Sequence, residues 1–134
     1  MIIPIGKPYS FTVTFLDPNT LLPIDLTGLT TQTGGSGIPF ECNIFEKNGT
    51  VPIINIVDYG SIDPTVSYWI LKDAIAGQIQ IFIGQNDTSL LKQSLYPKED
   101  GYTAKDTYRI TLKLEHSPNN FIYAFIDDVT ARIV

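Results

Sequence analysis

The 134-residue sequence predicts an all-β fold, about seven to eight antiparallel strands packed as a two-sheet sandwich. Three observations carry that expectation. Apolar and polar residues alternate with period two in several short runs, the mark of half-buried strands. Turn residues interrupt those runs at intervals of roughly 8–12 residues, with no long helical pattern between them. Charged residues make up 17% of the chain and aromatics 11%, a balance that suits pleated, half-buried surfaces. Residues 1–134 are read as one domain, since domains most often run to roughly 100–150 residues. No repeat of roughly 20–50 residues is present, which excludes a solenoid or propeller.

The elements follow in order. In SFTVTFLD (10–17), Phe11, Val13 and Phe15 oppose Ser10, Thr12 and Thr14. Asp17-Pro18-Asn19 starts a turn, Pro23 excludes a regular strand, and Asp25 to Gly28 turns again. TTQTGGSG (30–37) lies in a flexible loop spanning 30–39. In FECNIFEKNGT (40–50), Phe40, Cys42 and Ile44 share one face, and Asn48-Gly49 signals a hairpin turn to VPIINIV (51–57). VSYWIL (66–71) is a short strand holding the only tryptophan, Trp69. KDAIAG (72–77) reads as a single helical turn. QIQIFIG (78–84) turns Ile79, Ile81 and Ile83 inward against Gln78, Gln80 and Phe82. TSLLKQSLY (88–96) fits either a short helix or an irregular edge.

YRITLKLE (108–115) is the cleanest alternation, with Tyr108, Ile110, Leu112 and Leu114 inward and Arg109, Thr111, Lys113 and Glu115 outward. Ser117-Pro118-Asn119-Asn120 is a turn, and FIYAFIDDVTARIV (121–134) closes the chain. Phe121 to Ile126 is apolar on both faces, which predicts a strand covered on both sides. Tyr108 stands where immunoglobulin-like sandwiches carry the tyrosine corner, at the start of the penultimate strand. An ordinary core tyrosine fits the same position. An immunoglobulin-like sandwich is the fold expected in either case. The inter-sheet disulfide of antibody domains is absent, because Cys42 is the one cysteine.

Composition excludes several function classes. Net charge is −5, and the nine Lys and Arg never form a run of three, so no nucleic-acid footprint is expected. No stretch approaches the ~18 apolar residues of a membrane span, so no membrane insertion is expected. MIIPIGKPYSF lacks a basic leader and is broken by Pro4, Gly6 and Pro8, so it is not read as a secretory signal. Cys42, in an apolar alternation, reads as a small hydrophobe.

No catalytic, cofactor-binding or metal residue is assigned. His116, the only histidine, has no His or Cys at ligand spacing and reads as a solvated loop residue. Asp127-Asp128, Asp58 and Asp63 could meet a calcium ion only if loops converged; strand-end carboxylates are normally just solvated. No serine has an elbow motif around it. Tyr9, Tyr59, Tyr68, Trp69, Tyr96 and Tyr102 could stack on sugars, or simply serve core and interface. No enzyme is expected.

IPIGKPYSFTVTFLDPNT, LLPIDLTG and FEKNGT, within residues 3–50, resemble the opening of immunoglobulin-like domains in tail and baseplate proteins of long-tailed bacteriophages, such as the N-terminal domain of baseplate upper proteins. There a first strand, a D-P-N/D-G-x-P-x-D-L-T-G stretch and a second strand ending K-K/P-D-G-T follow in order. Asp17-Pro18-Asn19, Pro23, Asp25-Leu26-Thr27-Gly28 and Lys47-Asn48-Gly49-Thr50 match that order, while TQTGGSGIP (31–39) and residues 90–103 depart from it. The resemblance implies a non-enzymatic virion structural protein, assembled in the host cytoplasm as a homo-oligomeric ring or collar at the tail tip or baseplate. Its partners would be copies of itself and other phage tail or baseplate proteins. The Gly-rich loop and the proline-rich N-terminus would be arms that order on a neighbour. The alternative from another class is a carbohydrate-binding or adhesion module on a virion or cell surface, using the exposed aromatics.

Overall fold

A computed structural model describes residues 1–29, 37–92 and 107–133. These residues form eight strands and one short helix: β1 (Ile2–Pro4), β2 (Tyr9–Thr14), β3 (Phe40–Glu46), β4 (Ile54–Ile56), β5 (Tyr68–Asp73), β6 (Gln78–Ile83), α1 (Gln85–Thr88), β7 (Tyr108–Ser117) and β8 (Asn120–Arg132). One sheet has the order β1-β8-β7-β3-β4 and the other β2-β6-β5. Setting β2, β3, β5, β6, β7 and β8 as strands B, C, D, E, F and G reproduces the immunoglobulin arrangement, B-E-D against C-F-G, with β4 as the added C′ strand.

Among the named strands the pairing is antiparallel with one exception. β1 runs parallel to β8, with Ile2, Ile3 and Pro4 opposite Thr130, Ala131 and Arg132. Parallel neighbours need a long crossover, and here nearly the whole domain lies between the two strands. Ile5 N–H donates to the Arg132 carbonyl at 2.7 Å, and Thr130 N–H to the Met1 carbonyl at 3.1 Å. Ile3 is fully buried. The N-terminal segment expected as an arm for a neighbour is therefore an edge strand of its own sheet. Of the loop expected over 30–39, residues 30–36 lie outside the described ones, as do Tyr96 and Tyr102.

Period-two residues build the core. Phe40, Cys42 and Ile44 of β3, Ile79, Ile81 and Ile83 of β6, and Tyr108, Ile110, Leu112 and Leu114 of β7 are all buried. Each fully buried aliphatic or Phe side chain contributes roughly 1.5–3 kcal/mol. Aromatic contact joins the two sheets. Phe40 of β3 lies 5.2 Å from Trp69 of β5 and 6.2 Å, edge-on, from Phe15.

Four local expectations change. KDAIAG is not a helical turn: Lys72 and Asp73 end β5, and residues 74–77 form the β5–β6 connection, where Gly77 N–H donates to the Ala74 carbonyl at 3.1 Å. Gly77 takes φ +69°, and a Cβ there would sit 2.7 Å from the Phe15 carbonyl oxygen. Asn48-Gly49 does not join β3 to β4 tightly. Neither residue has a positive φ, and residues 47–53 form a longer connection, tied at Gly49 by the Arg109 guanidinium at 2.7 Å. Glu115 is buried rather than exposed, at 1% exposure, because the Pro118-Asn119 turn folds over it and Asn119 N–H donates to its carboxylate at 3.3 Å. Finally, β8 is covered on one face only, with consequences taken up below.

Tyr108 is a buried core tyrosine whose hydroxyl is tied to upstream backbone over a longer span than a tyrosine corner uses. Lys92 N–H donates to the Tyr108 hydroxyl at 2.7 Å, sixteen residues upstream rather than a few. It fastens the β6–β7 connection to the start of β7.

Candidate functional site

The residues weighed for chemistry are placed apart. His116 lies beside Asp25 to Leu29, Ser117 and Pro118, around a cavity of about 240 Å³. Asp58 and Asp63 sit on the β4–β5 connection, and Asp127-Asp128 at a bulge in β8, where Asp128 takes φ +56°. Among the described residues no group of three or more His, Cys, Asp or Glu is placed to hold a metal ion. The aspartates of the turns serve their own backbone. Asp17 accepts from Asn19 and Thr20 N–H, Asp25 from Thr27 and Asp63 from Thr65. Those bonds hold all three carboxyls below the ordinary 3.8. Their contribution is present above 3.8 and is lost as pH falls through their lower folded values.

Cys42 is buried, and burial pushes its thiol from an ordinary 9.0 up to about 12. Between those values the unfolded chain releases a proton that the folded chain keeps, so stability falls as pH rises. The expected slope from this residue is about 1.4 kcal/mol per pH unit above 9. Urea titrations of wild type and Cys42→Ala at pH 8 and pH 10.5 isolate it, because the other alkaline groups cancel. An unchanged difference between the two proteins would refute it. Thiol reagents should label Cys42 only once the chain unfolds.

Trp69 is fully buried and its indole N–H donates to the Val57 carbonyl at 3.1 Å, so it presents no face to a sugar. Tyr59 packs edge-on against it at 4.8 Å and stays half exposed. What the fold does assemble is two apolar surfaces on opposite outer faces of the sandwich.

The first lies on β8. Ile122, Ala124 and Ile126 pack against the core, so period two turns Phe121, Tyr123 and Phe125 outward. Tyr123 is 57% and Phe125 67% exposed. Two cations of β7 border this row: Lys113 Nζ stands 4.6 Å over the Phe121 ring, and the Arg109 guanidinium 4.1 Å over Phe45 of β3. Asn55 Nδ2 donates to the Glu41 carboxylate at 2.8 Å on the same face.

The second is a groove of about 290 Å³ at one end of the three-stranded sheet, lined by residues that include Pro8, Ile62, Pro64, Val66, Tyr68 and Phe82. Register sets Ser10, Phe82 and Tyr68 side by side, and the two rings stack at 4.5 Å and 11° as its floor. Several bonds fix the three segments around it. Thr88 hydroxyl donates to the Lys7 carbonyl at 2.9 Å, Gly84 N–H to the Ser67 hydroxyl at 2.9 Å, and Ser67 to Asp87. Gln85 N–H reaches the Pro64 carbonyl at 2.9 Å. Sequence reasoning missed Ile62, Pro64 and Val66, because they lie in an aperiodic loop.

No protein-family model matches the chain, and no curated protein matches it.

Proposed function

We propose that this chain is a non-enzymatic structural subunit of a bacteriophage tail, packing against copies of itself as a ring or collar at the tail tip or baseplate. The observation that supports self-packing is the Tyr123–Phe125 row, two large aromatic side chains left mostly in solvent by a strand whose other face is core. Contiguous exposed apolar patches mark interaction sites, and aromatics are enriched at interfaces. The tail setting rests on the D-P-N, D-L-T-G and K-N-G-T sequence resemblance. A closed ring requires repeated contacts between unlike patches.

Sedimentation velocity over a concentration series tests the proposal, with binding to purified phage tails as a second readout. Wild type is expected to form discrete species heavier than a monomer. Phe125→Glu, which places a charge in the row, is expected to sediment as a monomer while keeping its melting temperature within about 2 °C, as surface changes do. A wild-type protein that stays monomeric at its highest soluble concentration and ignores tails would end this reading.

A further inference from the structure

We infer that β2 is an open strand seat, and that the strand it takes is β2 of a second copy, laid antiparallel about a two-fold axis through Thr12. A two-fold contact closes on itself at two copies. It therefore goes beyond the ring contact above, which needs unlike patches, and stands without it.

The two sheets have four edges, and three are blunted by devices that discourage strand addition. β1 has three residues and ends in Pro4, which lacks an N–H. β4 has three residues. Beside β5, the β4–β5 connection takes both backbone groups of Trp69, its N–H to the Asp58 carbonyl at 3.1 Å and its carbonyl from Gly60 N–H at 2.9 Å. A bulge and Lys72-Asp73 follow. β2 has none of these. Its six residues, YSFTVT, are uncharged, contain no proline and keep one unbroken register with β6. In the immunoglobulin arrangement strand A lies beside strand B; here β1 pairs with β8 in the other sheet instead. Tyr9, Phe11 and Val13 pack against the core yet stay only half-buried.

The bonding groups of β2 point the right way. Phe15 N–H donates to the Gly77 carbonyl at 2.9 Å, one step beyond the Thr14–Gln78 pair. Backbone direction alternates along an antiparallel ladder, so Ser10, Thr12 and Thr14 aim their N–H and C=O away from β6. Among the described residues no backbone group bonds them from that side.

Self-complementarity names the occupant. About Thr12 the run reads nearly alike in both directions. Thr12 meets Thr12 of the other copy and Ser10 meets Thr14, all at bonding positions, while Phe11 meets Val13 on the inner face between them. Hydroxyl pairs and aromatic–β-branched pairs are both favourable across strands. The ends add charge complementarity. Lys7 precedes the strand and Asp17 follows it, so antiparallel pairing brings each Lys7 end to the other copy's Asp17 end. Of the other charges nearby, Asp25 accepts from Thr27 and Asp87 from Ser67. Lys72 reaches Thr12 Oγ1 at 3.5 Å over the outer face. The Lys72 side chains of the two copies approach across the axis, but in solvent, where salt screens them.

Disulfide trapping tests this register, in the Phe125→Glu background so that the β8 row contributes nothing. A five-residue strand contact is small beside the roughly 1,200–2,000 Å² of stable complexes. Pairing is therefore weak, Phe125→Glu stays monomeric in dilute sedimentation, and trapping uses concentrated protein. Thr12→Cys is expected to give a disulfide-linked dimer, because a bonded antiparallel pair sets Cα atoms about 5.5 Å apart. Thr14→Cys alone should link at least about tenfold more slowly, its two copies standing roughly 13 Å apart along the strands. Mixing it with Ser10→Cys protein should restore linking. Thr12 and Thr14 are exposed, Cys42 is buried, and thermal melts check folding. Without any added cysteine, amide exchange at Thr12 and Thr14 should slow as protein concentration rises. Equal linking of the two single variants would mean random or parallel encounter. No linking, with exchange unchanged, would mean that no second copy seats on β2. Either result overturns the inference and leaves the ring reading to its own test. Register-specific linking in a protein whose wild type never sediments above the monomer would keep this contact and end the ring reading.

Discussion

Replacing Trp69 with Ala is expected to remove about 3–5 kcal/mol of stability, the range for large-to-small changes of buried aromatics. Small domains hold only about 5–15 kcal/mol in total, so the variant would sit near the limit of folding. The indole joins both sheets and one loop. It is fully buried, lies 5.2 Å from Phe40 across the core and 4.8 Å from Tyr59, and donates to the Val57 carbonyl. The backbone of the same residue bonds on both sides, its N–H to the Asp58 carbonyl and its carbonyl from Gly60 N–H. Truncation thus leaves a cavity between the sheets and an unpaired carbonyl under the β4–β5 connection. Trp69→Phe keeps the ring contact with Phe40 but loses the indole bond, so its loss should be smaller by about half. Thermal melts read the difference: a fall of roughly 10–20 °C for Ala. A fall of only a degree or two would mean that Trp69 does not hold the sheets together.

Strands that face the core on one side and solvent on the other were legible as period-two runs. The inward sets of β3, β6 and β7 could be named residue by residue because burial and alternation coincide there. β8 shows the limit of that reasoning. Alternation says which side chains share a face, not what covers it, so an apolar outer face looked like a second buried one. β1 was hidden for a different reason. Its pairing with β8 joins the two ends of the domain, and Pro4 and Gly6 within MIIPIG argue locally against a strand. Glu115 obeys its alternation in direction, yet is buried because the following turn closes over it. The groove was illegible in principle: three segments supply it from residues 8–10, 62–68 and 82–84, none carrying a recurring spacing.

Gly84→Ala is expected to destabilise the domain by about 3–5 kcal/mol, although φ −70° and ψ 159° are open to any residue. The reason is proximity. A Cβ on Gly84 would lie 2.3 Å from the Val66 carbonyl carbon and 2.5 Å from the Thr65 and Val66 carbonyl oxygens. All three are backbone atoms, so no rotamer change relieves the overlap, and the end of β6 must part from residues 65–66. Overpacking of this kind typically costs about 1–3 kcal/mol. Separation would also strain the bonds from Gly84 N–H to Ser67, Gln85 N–H to Pro64 and Asn86 N–H to Thr65, each worth roughly 0.5–1.5 kcal/mol. The damage should be directional: hydrogen exchange at Gln85 and Asn86 amides should speed up well before that of β7. Wild-type stability and unchanged amide exchange in Gly84→Ala would show that the end of β6 and the 65–66 backbone do not touch.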